Sequence, residues 1–386
     1  MRFIVMLLLI FSCSMGFGQR HYKVIAYISG DSLIAPETID VKKITHIHYT
    51  FASVSKGAIV AGINDSINLL QLNSLKVIRP KLKVLIAVGG ENGSAGFSEA
   101  VTSDSSRMKF AESILVYIKK YQLDGVEMHW ELKPRGMFGN AFNSKDQENL
   151  VLLLQVLREK LDAQSKADGR KKKSNYLLSM TGSSKRQYLF RSKLNVAHQY
   201  LDYITLQTFD YKVQILNAGG ISSTLVSSHQ SNLYPSRYDS WFRFSVDKTV
   251  KEYINHNIPS RKLVMGFPFY GQGWNNTYED YSGLYQWAES KITDDLSYKN
   301  IVAHYVGQPD YQKLWDKQAK ARYLYNKKNG VFLSYDDKKT IRKKTLYIRR
   351  HRMGGAVFGD YRQDDGTLLK PMKNGLRYFR LPFILF

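Results

Sequence analysis

Eight short apolar runs punctuate the chain, and longer stretches with helical spacing separate most of them. The runs are Val24 to Ile28, Ile44 to Phe51, Lys83 to Val88, Gly125 to Trp130, Tyr176 to Met180, Tyr203 to Thr208, Leu263 to Phe267 and Gly355 to Phe358. Each is rich in β-branched or aromatic residues and bounded by glycine or polar residues, as strands are. Between them, Met108 to Tyr121 places Phe110, Ile114, Tyr117 and Tyr121 on one face of a helix. Leu150 to Leu161 predicts a second helix, apolar nearly all round, and Lys338 to Arg352 a basic one. Strands alternating with helices imply a parallel sheet, and eight repeats imply an α/β fold closed as a (β/α)8 TIM barrel. The interval from Trp274 to Tyr335 breaks the alternation and is too long for a bare loop. It predicts a small α+β insertion, residues 275–334, between strands seven and eight, with the barrel in 19–274 and 335–386.

The first residues change the picture of location. Arg2, the apolar run Phe3 to Phe11 and the small residues up to Gly18 read as a signal peptide, residues 1–18. The expected location is secreted, periplasmic or cell-surface. Cys13, the one cysteine, would leave with that leader or, as the less favoured alternative, carry a lipid. No later run approaches the length of a transmembrane helix.

Composition adds a question. The chain has 386 residues, with 56 Lys+Arg against 33 Asp+Glu and a formal charge of +23. Hydrophobic residues make up 44%, which excludes a disordered polycation. A charge of this size points to a polyanionic partner or to a basic surface with none. No nucleic-acid module, phosphate loop, dinucleotide fingerprint or H-E-x-x-H motif accompanies it, so no nucleic acid, metal or cofactor is expected. His46 and His48 share a strand face and read as a satisfied polar pair rather than ligands.

The chemistry is concentrated in Asp124-Gly125-Val126-Glu127-Met128-His129-Trp130-Glu131. On a strand, Glu127, His129 and Glu131 share one face and Val126, Met128 and Trp130 the other. The apolar set suits the helix side, so the polar set points into the barrel and climbs toward the end where barrel active sites lie. Glu131, Glu127 and His129 are therefore the catalytic candidates.

This segment resembles the D-G-x-D-x-D-x-E signature of family 18 glycoside hydrolases, the chitinase family. Ala87-Val88-Gly89-Gly90, Leu206-Gln207-Thr208-Phe209-Asp210, Lys262 to Gly271, Ser334-Tyr335-Asp336-Asp337 and Gly354 to Phe358 resemble its later motifs in order. The resemblance implies a retaining, substrate-assisted cleavage of N-acetylglucosamine polymers, a route outside the two-carboxylate scheme. It implies that Glu131 is the acid. At the position of the Asp that assists the substrate's acetamide stands His129, and Glu127 replaces the inner Asp. Phe209 replaces a Tyr that holds the acetamide, Gln207 a Met, Glu91 a frequent Trp and Gln272 a frequent Arg. Gly359 lies where a floor Trp is expected. Asp210 and Tyr270 are retained. The substrate-binding candidates are Asp210, Phe209, Tyr270, Trp130, Gln207, Glu91 and Trp274.

Three readings follow: a hydrolase with weakened or altered action, a non-catalytic chitinase-like lectin, or a polyanion-binding scaffold. The expected partner is a chitin-like or acidic oligosaccharide or polysaccharide, bound by a monomer.

Overall fold

The computed structural model describes residues 21–132, 145–171, 173–211, 213–216, 223–240 and 243–377. The leader and Cys13 lie outside them. Eight parallel strands form the barrel: β1 Lys23–Ser29, β2 His46–Ser55, β3 Lys83–Gly89, β4 Gly125–His129, β5 Leu177–Ser183, β6 Tyr203–Gln207, β7 Leu263–Pro268 and β8 Gly355–Gly359. Each pairs with the next, and β8 pairs back with β1, which closes the ring. All eight sit where the apolar runs predict strands.

The helices longer than seven residues among those described are α1 Asp65–Ile78, α2 Asp104–Lys120, α3 Asp146–Ala167, α4 Val246–Asn255, α5 Lys338–Arg350 and α6 Leu369–Leu376. None is long and apolar enough to cross a membrane. The helix predicted over Met108 to Tyr121 begins earlier, because Ser103 and Ser106 form a reciprocal cap that starts α2 at Asp104. Its expected apolar face holds: Phe110, Ile114 and Tyr117 are buried. The first crossover carries only a short 3-10 turn, Pro36–Thr38.

Two apolar layers flank the sheet. Outside, strand residues such as Val126, Met128, Leu178 and Ile204 pack under the helices. Inside, Ile25, Leu85, Tyr203, Val264 and Val357 plug the lower barrel. Gly125 opens β4 at φ +154, and a Cβ there would lie 2.1 Å from the Leu177 carbonyl oxygen. No other residue fits that approach.

Between β7 and β8 the chain lays down a five-stranded antiparallel sheet. Its spatial order is Ser290–Lys291, Gln272–Asn275, Val331–Tyr335, Ala321–Asn326 and Tyr311–Asp316. Trp274, Tyr323 and Phe332 form part of its core. Where this sheet returns to the barrel, Lys344 of α5 is fully buried. Its Nζ donates to Asp336 Oδ2 at 2.5 Å and Ser231 Oγ at 2.7 Å.

Candidate functional site

β4 climbs the barrel interior as its alternation requires, but its three polar residues end in different surroundings. Glu127 is fully buried. Its Oε1 accepts from Thr205 Oγ1 at 2.5 Å, and His48 Nδ1 lies 3.0 Å from its Oε2. The other ring nitrogen of His48 meets the Tyr203 hydroxyl at 2.9 Å, and Tyr27 donates to Thr205 at 3.2 Å. Burial alone would raise the Glu127 carboxyl. His48 and the Thr205 hydroxyl outweigh it and hold Glu127 below the usual carboxylate range. Glu127 is thus a buried anion tied across the barrel to His48 and Thr205.

One layer higher, Thr181 Oγ1 lies 3.3 Å from His129 Nδ1, and Gln207 Nε2 lies 3.3 Å from His129 Nε2. With the Gln207 amide as donor, Nε2 accepts and the ring proton sits on Nδ1. Burial pushes the His129 pKa down, against the pull of Glu127 and Glu131, so the ring is neutral at neutral pH. Gly89 lets β3 close on this layer: it adopts φ +109, and a Cβ there would meet the His129 carbonyl oxygen at 2.3 Å. Glu131 follows at the rim, 29% exposed, with Oε1 3.8 Å from His129 Nε2.

The mouth is completed from β2, β6 and β7. The pairing of β2 with β3 slips between Thr50 and Ala52, a bulge that leaves Phe51 outside the alternation. Phe51 stays 44% exposed and stands edge-on to His129 at 5.1 Å. Asp210 is exposed beyond β6 and accepts from the Tyr270 hydroxyl at 2.9 Å and Gln272 Nε2 at 2.7 Å. Phe209 stands edge-on to Tyr270 at 6.3 Å, in space left by Gly266. A cleft of about 300 Å³ opens beside Tyr270 and Gln272, lined further by Asp294, Asp295, Ser297 and Gln363. Glu131 and His129 do not line it; it extends the mouth toward the second sheet.

The structure brings Glu131, His129, Gln207, Phe209, Asp210 and Tyr270 around one mouth, with exposed Glu91 just after β3. Three sequence candidates do not reach it. Glu127 is sealed below. Trp130 points outward and stacks on Phe97 at 5.0 Å between barrel and helices. Trp274 is buried in the second sheet against Phe332. Sequence reasoning missed Phe51, whose only trace is its place at the end of the longest β run. His48, read from the sequence as part of a satisfied polar pair, reaches β4 across β3 and lies 3.0 Å from Glu127. Gly359 at the end of β8 lies against Tyr27. Among the described residues, no group of His, Cys, Asp or Glu has the geometry of a metal site.

Residues 23–364 match the sequence profile of glycosyl hydrolases family 18. The chain belongs to that family. It is 32% identical to chitinase A1 of Niallia circulans over 83% of this chain and 45% of that protein, so it spans about half the length of that relative. It is 28% identical to human chitinase-3-like protein 2 over 91% of this chain and 89% of that protein. Among solved structures, a family 18 N-acetylglucosaminidase from Paenibacillus barengoltzii superposes with a TM-score of 0.81 at 32% identity, covering 92% of this chain and all of that one.

The buried neutral histidines set an acid limit on the fold. His46 is held well below the ordinary histidine range by burial first, then by His48 and Lys23. Below about pH 6.5 the unfolded chain takes up protons at His46 and His129 that the folded chain refuses. Stability therefore falls as pH falls from there, by up to about 1.4 kcal/mol per pH unit for each such ring. Asp336, raised by burial to about 6, acts in the opposite direction through the same window. Replacing His46 with Gln should flatten the decline of the unfolding midpoint between neutrality and pH 5; an unchanged slope in thermal scans would contradict the assignment.

Proposed function

We propose that this family 18 protein is exported and binds N-acetylglucosamine-type oligosaccharides at the mouth formed by Phe51, Glu131, Asp210 and Tyr270. We further propose that it cleaves them slowly, with Glu131 as the acid. The observation that carries this reading is the neutral His129 beside Glu131. In a substrate-assisted route the acetamide attacks the anomeric carbon and becomes a cation, which a carboxylate at position 129 would stabilise. A neutral ring accepts a hydrogen bond there and supplies no counter-charge. Losing one such electrostatic stabiliser costs about 10²–10³ in rate. Glu127 does not substitute for it, because it is fully buried and committed to His48 and Thr205.

Asp210 is pre-oriented by two hydrogen bonds, and Phe51 offers an exposed ring beside the acid. The exposed Asp210 at the mouth favours a neutral sugar over an acidic one. Replacing Phe51 with Ala should weaken binding of tetra-N-acetylchitotetraose about 5- to 100-fold in calorimetric titration, by analogy with stacking of other rings on aromatic faces. Unchanged affinity would move the sugar platform elsewhere.

A further inference from the structure

A share of the positive charge lies away from the mouth. The connections that lead into five of the eight strands, at the end opposite the mouth, carry exposed cations. Lys42 precedes β2, Lys81 precedes β3, Lys171 and Lys173 precede β5, Arg261 precedes β7 and Arg352 precedes β8. None of the six enters an ion pair among the described residues. Four carboxylates at this end are already matched by other cations: Asp40 with Lys43 at 2.7 Å, Asp124 with Lys76 at 2.7 Å, Asp168 with Lys119 at 3.1 Å and Asp202 with Arg158 at 3.2 Å. The six loop cations are therefore surplus. The helix dipole accounts for cations in the last turns of helices, such as Lys120 and Arg350, but not for those beyond the helix ends.

Two features choose the partner. The six residues come from five crossovers spread round the ring, so a linear polyanion would engage one arc while a planar anionic surface engages them together. The same end also exposes apolar side chains. Val77 and Ile78, in the last turn of α1, are 86% and 62% exposed, between Lys76 and Arg79. Apolar residues set among cations suit the boundary between lipid headgroups and acyl chains. We propose that this end of the barrel docks on an anionic lipid bilayer and turns the mouth away from it.

Sedimentation with vesicles tests this, using phosphatidylcholine alone or mixed with phosphatidylglycerol. The protein should partition onto the mixed vesicles, leave them as salt rises, and ignore phosphatidylcholine alone. The variant Lys42→Glu/Lys81→Glu/Lys171→Glu/Lys173→Glu should bind at least about 100-fold more weakly, at roughly fivefold per basic residue near the surface. Its titration with tetra-N-acetylchitotetraose should match the wild type, which shows that the fold is kept. Val77→Ser/Ile78→Ser should weaken vesicle binding and leave the salt dependence. Equal binding to both vesicle types, or an unaffected charge variant, would overturn the proposal. So would binding to heparin without binding to vesicles, which would assign the face to a soluble polyanion.

Discussion

His129→Asp should raise the rate of chito-oligosaccharide cleavage by about 10²–10³-fold, the size of a single well-placed electrostatic contribution. The wild-type ring is held by Thr181 and Gln207, is neutral through burial, and stands 3.8 Å from Glu131. In the proposed substrate-assisted route, an aspartate there would place a negative charge beneath the acetamide as it becomes cationic. The gain should appear in kcat more than in KM, because the charge matters most in the transition state. Adding Phe209→Tyr should increase it further, since the wild-type ring offers no hydroxyl to the acetamide. Adding Glu131→Gln to His129→Asp should abolish the gain. Wild-type turnover equal to that of His129→Asp would show that the histidine performs the role of the carboxylate.

Lys344→Met should destabilise the fold by about 3–5 kcal/mol at neutral pH, the cost of leaving one member of a buried pair alone. Asp336 is held by Lys344 and sits against the barrel with little access to water. Burial already raises its carboxyl to about 6. Without the lysine it protonates more readily, so the penalty should shrink as pH falls toward 5. Adding Asp336→Leu should recover most of the loss, because removing both charges removes the uncompensated one. Urea unfolding at two pH values reads all three outcomes. A single variant within 1 kcal/mol of wild type would mean that the pair is solvated.

The barrel was legible because each strand is a compact apolar run with distinct boundaries, and the alternation in β4 assigned Glu127, His129 and Glu131 to the interior. Alternation gives a face but not a height. It could not separate Glu127, sealed among His48, Tyr203 and Thr205, from Glu131 at the rim. That separation depends on contacts across the barrel between strands far apart in sequence. Phe51 was hidden because a bulge breaks the period of two. Trp130 and Trp274 show the converse: an aromatic residue near a motif is more often core than platform, and both are buried. The charge was visible as a total, but the part of it at the strand-entry end emerges only when the crossovers are arranged round the ring.

The proposed mouth binds its sugar and cleaves it slowly. Titrating the wild-type protein with tetra-N-acetylchitotetraose, while following products in the same sample by mass spectrometry, tests that directly. Saturable binding that Asp210→Ala weakens is expected, with the oligosaccharide largely intact over a period in which His129→Asp consumes it. Absence of binding, or cleavage by the wild type as fast as by His129→Asp, would contradict it.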